Sequence, residues 1–156
     1  KHIEIAKTEE QKEEVWTARR ASFAATAQLA PDVVSDDIIV PRSKITQMIS
    51  GCRDICNKYN LQVCMVGHLG DGNLHPQVAL DLSDDKQFKN YQQAKGEIYE
   101  LVIALGGTIS AEHGVGIEKL SYLEGLVESN AIDKMREIKL VFDPKNILNP
   151  NKIFNV

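Results

Sequence analysis

Two alternating runs flanking a single glycine-rich loop constrain this chain more than any other feature. From Leu61 to Asp81, apolar and polar residues alternate on either side of LGDGN, and Gly70 and Gly72 supply the positive φ that a chain reversal often needs. The pattern predicts a β-hairpin. Setting residue 68 opposite residue 75 puts Leu61, Val63, Met65, Val78 and Leu80 on one face, and Cys64, Val66, His68, His75, Gln77 and Ala79 on the other. The first face is apolar and should meet helices. The second is small and partly polar, as suits a surface that covers something other than a dry core.

The flanking segments fit around this hairpin. Residues 1–7 alternate weakly and read as the end of a strand. Thr8 and Gln11 have the spacing of a capping box, so a helix should run from Glu9 to about Gln28, with Val15, Trp16 and Phe23 on an apolar stripe and Arg19 and Arg20 at its middle. Val33 to Val40 is β-branched apart from Ser35-Asp36-Asp37, which predicts a strand with a polar interruption. Ser43 to Tyr59 places Ile45, Met48, Ile49, Cys52, Ile55, Cys56 and Tyr59 at steps of three and four, a helix with its cysteines in the core. Ser83 or Asp84 should cap a third helix reaching about Leu105, with Phe88, Tyr91, Ile98, Leu101, Val102 and Leu105 on its buried side. Gly106-Gly107 ends it, and Thr108 to Glu112 reads as a short strand. Helices over about 117–128 and 131–142 precede an irregular tail containing Pro144 and Pro150.

From Val33 the order is strand, helix, strand, strand, helix, strand. That predicts an α+β fold, a ferredoxin-like split βαβ antiparallel sheet with helices on one face and extra helices at both termini. Residues 1–156 form one domain, without repeats. A net charge of −4 gives no basic field to recommend nucleic acid, and no apolar run approaches the ~20 residues of a membrane span. Three cysteines without a CxxC pair suggest neither a disulfide framework nor a zinc ribbon, and a cytoplasmic setting fits them best. The chain opens on Lys1 with no signal-like segment, which suggests a piece of a longer protein.

The chemistry-bearing residues sit in two places. His68 and His75 bracket the hairpin loop in GHLGDGNLHP, close enough to share a metal or simply to satisfy loop backbone groups. In GGTISAEHGVG, Glu112 and His113 end a strand, as a ligand and a base or as a surface ion pair. A split βαβ makes the strand after His75 and the strand ending at Glu112 parallel and non-adjacent. Glu112 then reaches the histidines only through a bend at Gly106-Gly107 or a shifted register. Arg19 and Arg20 offer a guanidinium for a small carboxylate or are merely solvated. Asp36 and Asp37 either orient a base or occupy an edge, and Asp71 caps its own turn.

Together, GHLGDGNLHP, SAEHGVGIEK and FDPKNILNPNKIF resemble the C-terminal domain of FAD-linked 2-hydroxy-acid oxidoreductases of the vanillyl-alcohol-oxidase type, the group of the glycolate oxidase flavin subunit, D-lactate dehydrogenases and D-2-hydroxyglutarate dehydrogenase. The resemblance implies a cap or substrate domain laid over a flavin held by an N-terminal FAD-binding domain, and oxidation of a small 2-hydroxy acid by hydride transfer. It implies that His68, His75 and Glu112 ligate a divalent metal, zinc or manganese, that His113 is the base, and that Arg19 holds the substrate carboxylate. Asn73 and Asn149 would be flavin-side contacts. Phe23 and Ser35 stand where the hydroxyglutarate branch has a Thr and a Lys, which points to a smaller acid such as glycolate or D-lactate. The resemblance leaves room for an electron-transfer partner subunit, and the chain by itself should be inactive. The competing readings are a stand-alone ferredoxin-like metal- or ligand-binding module and a metal-dependent hydrolase.

Overall fold

Helix α1 (Glu9–Thr26) starts where Thr8 and Gln11 place it. The Thr8 hydroxyl accepts from the Gln11 N–H at 3.2 Å while the Gln11 side chain accepts from the Thr8 N–H, a complete capping box. The computed structural model describes residues 5–123 and 125–153. The strand expected over residues 1–7 lies partly outside that range, and residues 5–7 have no regular structure.

The interrupted strand is present as β1 (Asp32–Ser35) and β2 (Ile38–Ile39), separated by Asp36-Asp37. A turn of 3-10 helix leads into α2 (Ile45–Lys58), which buries Met48, Cys52 and Cys56. The hairpin is β3 (Gln62–His68) and β4 (Asn73–Leu80). Strand β4 is central, with β3 antiparallel on one edge and β1 and β2 in succession along the other. Thr108 pairs antiparallel with Ile39 beyond them. This is the strand order of the expected ferredoxin-like sheet.

Four details of the expectation change. His68 opposes Asn73 rather than His75, because the reversal takes four residues, Leu69 to Gly72, instead of six. Only Gly72 of the two loop glycines has positive φ (83°), and a Cβ there would lie 2.1 Å from the Val40 carbonyl oxygen. A register shift of two residues keeps every side chain on its predicted face, so the two-sided reading survives. The strand expected from Thr108 to Glu112 shrinks to the single Thr108 bridge, and the helix expected over 117–128 to α4 (Leu120–Leu123).

The apolar face packs on α2 and α3 (Asp85–Ala104), the latter capped by Asp84, whose carboxylate accepts from the Lys86 and Gln87 N–H groups. Leu74, Val78 and Leu80 join Ile38, Met48, Cys52, Cys56, Ile98 and Val102 in one core. Phe88, expected there, is 40% exposed. Helix α1 departs from the one-sided arrangement. Its last residue, Thr26, reaches the polar face and donates to Gln77 Oε1 at 3.2 Å. Its expected apolar stripe is uncovered, with Val15, Trp16 and Phe23 at least half exposed. The same holds for Val141 and Phe142 at the end of α5 (Ser129–Phe142). The tail then folds back on Asp143, whose carboxylate accepts from the Ile147 and Leu148 N–H groups and from Lys139, and Ile153 N–H donates to the Gly116 carbonyl.

Candidate active site

The register of β1 and β2 against β4 decides where the two interrupting aspartates point. Asp36 falls level with Pro76 on the helix side and Asp37 level with His75 on the polar side. Asp36 accordingly meets α3, where Tyr99 donates its hydroxyl to Asp36 Oδ2 at 2.5 Å. Lys119, 5% exposed, pairs with Asp36 Oδ1 at 2.8 Å and donates to the carbonyls of Asp37 (2.8 Å) and Ile109 (2.6 Å). Burial, reinforced by the Asp36 charge, pushes the Tyr99 phenol far above its ordinary value and keeps it a donor.

Asp37 is fully buried, and its Oδ2 accepts from the backbone N–H of Ala111 (2.8 Å), Glu112 (2.9 Å) and His113 (2.8 Å), and from the Ser110 hydroxyl (3.3 Å). Burial works against its charge. The N–H groups of His113, Glu112 and Ala111, with the Lys119 ammonium, outweigh that and hold the carboxyl below its ordinary value. Three successive amides aimed at one oxygen cannot belong to an extended strand, in which they alternate in direction. The chain therefore leaves the extended form by residue 111, and Glu112 reaches His75 of β4 past the broken strand, where an uninterrupted strand would keep the two apart.

Glu112 Oε1 lies 3.2 Å from His75 Nε2, 3.6 Å from His113 Nε2 and 3.7 Å from His68 Nε2. The His113 ring stacks on His75 at 5.2 Å between centroids, and His68 meets His75 edge-on at 5.5 Å. His75 Nδ1 faces the Asp36 carbonyl oxygen at 3.1 Å, so Nδ1 donates there and Nε2 is the nitrogen turned toward Glu112. Either a proton on Nε2 or a metal cation between the two makes that contact favourable. Two imidazoles and a carboxylate that leave one side open also form a donor set suited to a divalent transition metal. Asp37, His75, Glu112 and His113 likewise offer ligand atoms within 4.8 Å of one another. The His75 side chain is 8% exposed, against 53% for His113 and 48% for His68.

The other expected site residues are not part of this cluster. Arg19 is half-buried on the same stripe of α1 as Thr26, about 10 Å along the axis from it at 1.5 Å per residue. Its side chain makes no hydrogen bond or ion pair with the histidines among the described residues. Asn73 is buried on the histidine face of β4, and its Oδ1 has no partner among the described residues. Asn149 is exposed in the tail, with φ of 48°. A cleft of about 430 Å³ opens beside His113, lined by Ser35, Asp36, the 114–119 segment and Lys152. The sequence pattern placed Gln77 on the polar face without a role, and it singled out neither Tyr99 nor Lys119. Lys119 closes the SAEHGVGIEK motif, the one signal that would have raised it.

The family of FAD linked oxidases, C-terminal domain, matches residues 1–153. The chain belongs to that family. It is 44% identical over 152 residues to glycolate oxidase subunit GlcD of Bacillus subtilis (strain 168), covering 97% of this chain and 32% of that protein. It is 36% identical over 160 residues to the mitochondrial D-lactate dehydrogenase [cytochrome] of Kluyveromyces lactis, covering 99% and 27%. With D-2-hydroxyglutarate dehydrogenase of Haemophilus influenzae, 40% identity covers 76% of this chain and 11% of the relative. The chain thus spans a third or less of the length of these relatives. The family is the one that the three motifs resemble. Among the described residues no helix is long and apolar enough to cross a membrane.

Proposed function

We propose that this chain is the substrate-facing part of a FAD-dependent oxidoreductase that converts a small 2-hydroxy acid, of the glycolate or D-lactate type, to the 2-oxo acid. The observation that carries the reading is the convergence of three imidazole Nε2 atoms on one oxygen of Glu112. His68, His75 and Glu112 hold a divalent cation, zinc or manganese, which supplies a Lewis acid for the substrate's hydroxyl or carboxylate oxygen. FAD, bound mainly by an N-terminal portion of the whole protein, supplies the hydride acceptor. His113 takes the hydroxyl proton on Nε2. It is the accessible member of the stacked pair, while His75, with its Nδ1 proton engaged, stays a ligand.

Arg19 holds the substrate carboxylate from the stripe of α1 that faces the sheet, and Asn73 and Asn149 lie on the flavin side. The exposed apolar surfaces of α1 and α5 pack on the flavin-binding portion. The enzyme works in the cytoplasm and passes its electrons to an acceptor that includes, in one arrangement, a partner subunit. The chain alone reduces no flavin.

The test is anaerobic mixing of the flavin-loaded whole protein with glycolate or D-lactate while flavin absorbance is followed. Bleaching is expected, slowed by His113→Asn by about 10²-fold or more at unchanged metal content. Absence of bleaching with every small 2-hydroxy acid would leave a binding module. Metal-dependent turnover of ester or amide probes by the chain alone would point to a hydrolase.

A further inference from the structure

Asp37 stands in a position that the chemistry above does not use. Its Oδ2 gathers the N–H groups of residues 111, 112 and 113 and the Ser110 hydroxyl, so that oxygen has no lone pair left for a cation. Its Oδ1, buried and without a hydrogen-bond partner among the described residues, lies 4.0 Å from His75 Nδ1, the nitrogen engaged by the Asp36 carbonyl, whereas Glu112 faces His75 Nε2. The two imidazole nitrogens lie on opposite edges of the ring. Asp37 therefore sits behind His75 and Glu112 in front of it, although both contribute atoms to one compact group of donors.

Asp37 is itself held in place. Lys119 donates to its carbonyl and to that of Ile109, and pairs with Asp36, which Tyr99 grips from α3. Both ends of the 109–119 segment are thus tied to the break between β1 and β2, and the amides at its middle close on the Asp37 carboxylate. Fixing three consecutive amides on one acceptor fixes the intervening backbone dihedrals, and with them the directions in which the Glu112 and His113 side chains leave the chain.

We infer that Asp37, locked by Lys119, is the positioning residue of this site: it sets Glu112 and His113 against His75 through the backbone and binds neither metal nor substrate. The inference rests on the proposed metal-binding reading, and its test separates the two. Three forms of the chain, wild type, Asp37→Asn and Asp37→Ala, are titrated with zinc alone, and amide hydrogen exchange at residues 111–113 is read in the metal-free state.

The Asn carboxamide oxygen can still accept the three N–H groups. Asp37→Asn is expected to keep those amides protected and to bind zinc close to wild type. Asp37→Ala is expected to lose the protection and to bind zinc about 10–100-fold more weakly, the range for partners that orient a ligand, at unchanged stoichiometry. Zinc binding weakened equally in both variants, with the amides of Asp37→Asn still protected, would make Asp37 a ligand and overturn the inference. So would full protection in Asp37→Ala. Should Asp37→Ala fail to fold, Asp37→Asn alone decides between ligand and positioning residue, and Lys119→Met is expected to deprotect the same amides. A wild-type chain that binds no zinc would sink the metal reading, while the exchange data would still decide the clamp.

Discussion

The two faces of β4 make the most instructive comparison in the molecule. All eight of its residues are buried, yet alternate positions do opposite work. Leu74, Pro76, Val78 and Leu80 point into a core shared with α2 and α3, where removing apolar area from water supplies the free energy of folding. Asn73, His75 and Gln77 point the other way, and each carries polar atoms whose burial is unfavourable unless a partner is found. Gln77 has Thr26 and His75 has the Asp36 carbonyl, while Asn73 Oδ1 has no partner among the described residues. Stability belongs mainly to one face. The polar face trades some of it for an arrangement of donors and acceptors.

If that division is right, substitutions on the two faces should separate stability from ligand binding. Leu80→Ala, at a fully buried position on the apolar face, should have the largest effect on folding, about 2–5 kcal/mol in chemical denaturation. Zinc affinity measured where that variant is still folded should stay near wild type. His75→Ala should do the reverse, weakening zinc by at least a hundredfold, about 2.8 kcal/mol, because it removes a ligand rather than a group that orients one. A zinc affinity that follows Leu80→Ala and ignores His75→Ala would erase the distinction. Thr26→Val tests the weaker link between α1 and the polar face. Loss of its hydroxyl should cost about 1 kcal/mol and raise amide exchange in the last turn of α1, with the hairpin unchanged.

The sequence carried the faces of the hairpin, since alternation survives any even shift in register, but not the register itself. Four loop residues rather than six close the turn, a choice made by the approach of Gly72 to Val40 from a distant strand. The capping box at Thr8 was legible because its partners are three residues apart. The break at Asp36-Asp37 was legible as well, though not its consequence. Nothing local says that one aspartate would meet Tyr99 on the helix side while the other captured three amides some 74 to 76 residues away. Lys119 was hidden for a related reason. Lysine is ordinarily exposed, and only the folded positions of Asp36, Asp37 and Ile109 make its burial favourable. The apolar stripe of α1 was legible, but its pattern alone could not show that no surface among the described residues covers it.

X-ray absorption on the zinc-loaded chain tests the central claim most directly, that the polar face of β4 and Glu112 build a metal centre. One equivalent of zinc is expected in a nitrogen and oxygen shell at about 2.0–2.1 Å with imidazole scattering, lost in His75→Ala. An intact imidazole shell in His75→Ala, or no zinc retained by the wild-type chain, would contradict it.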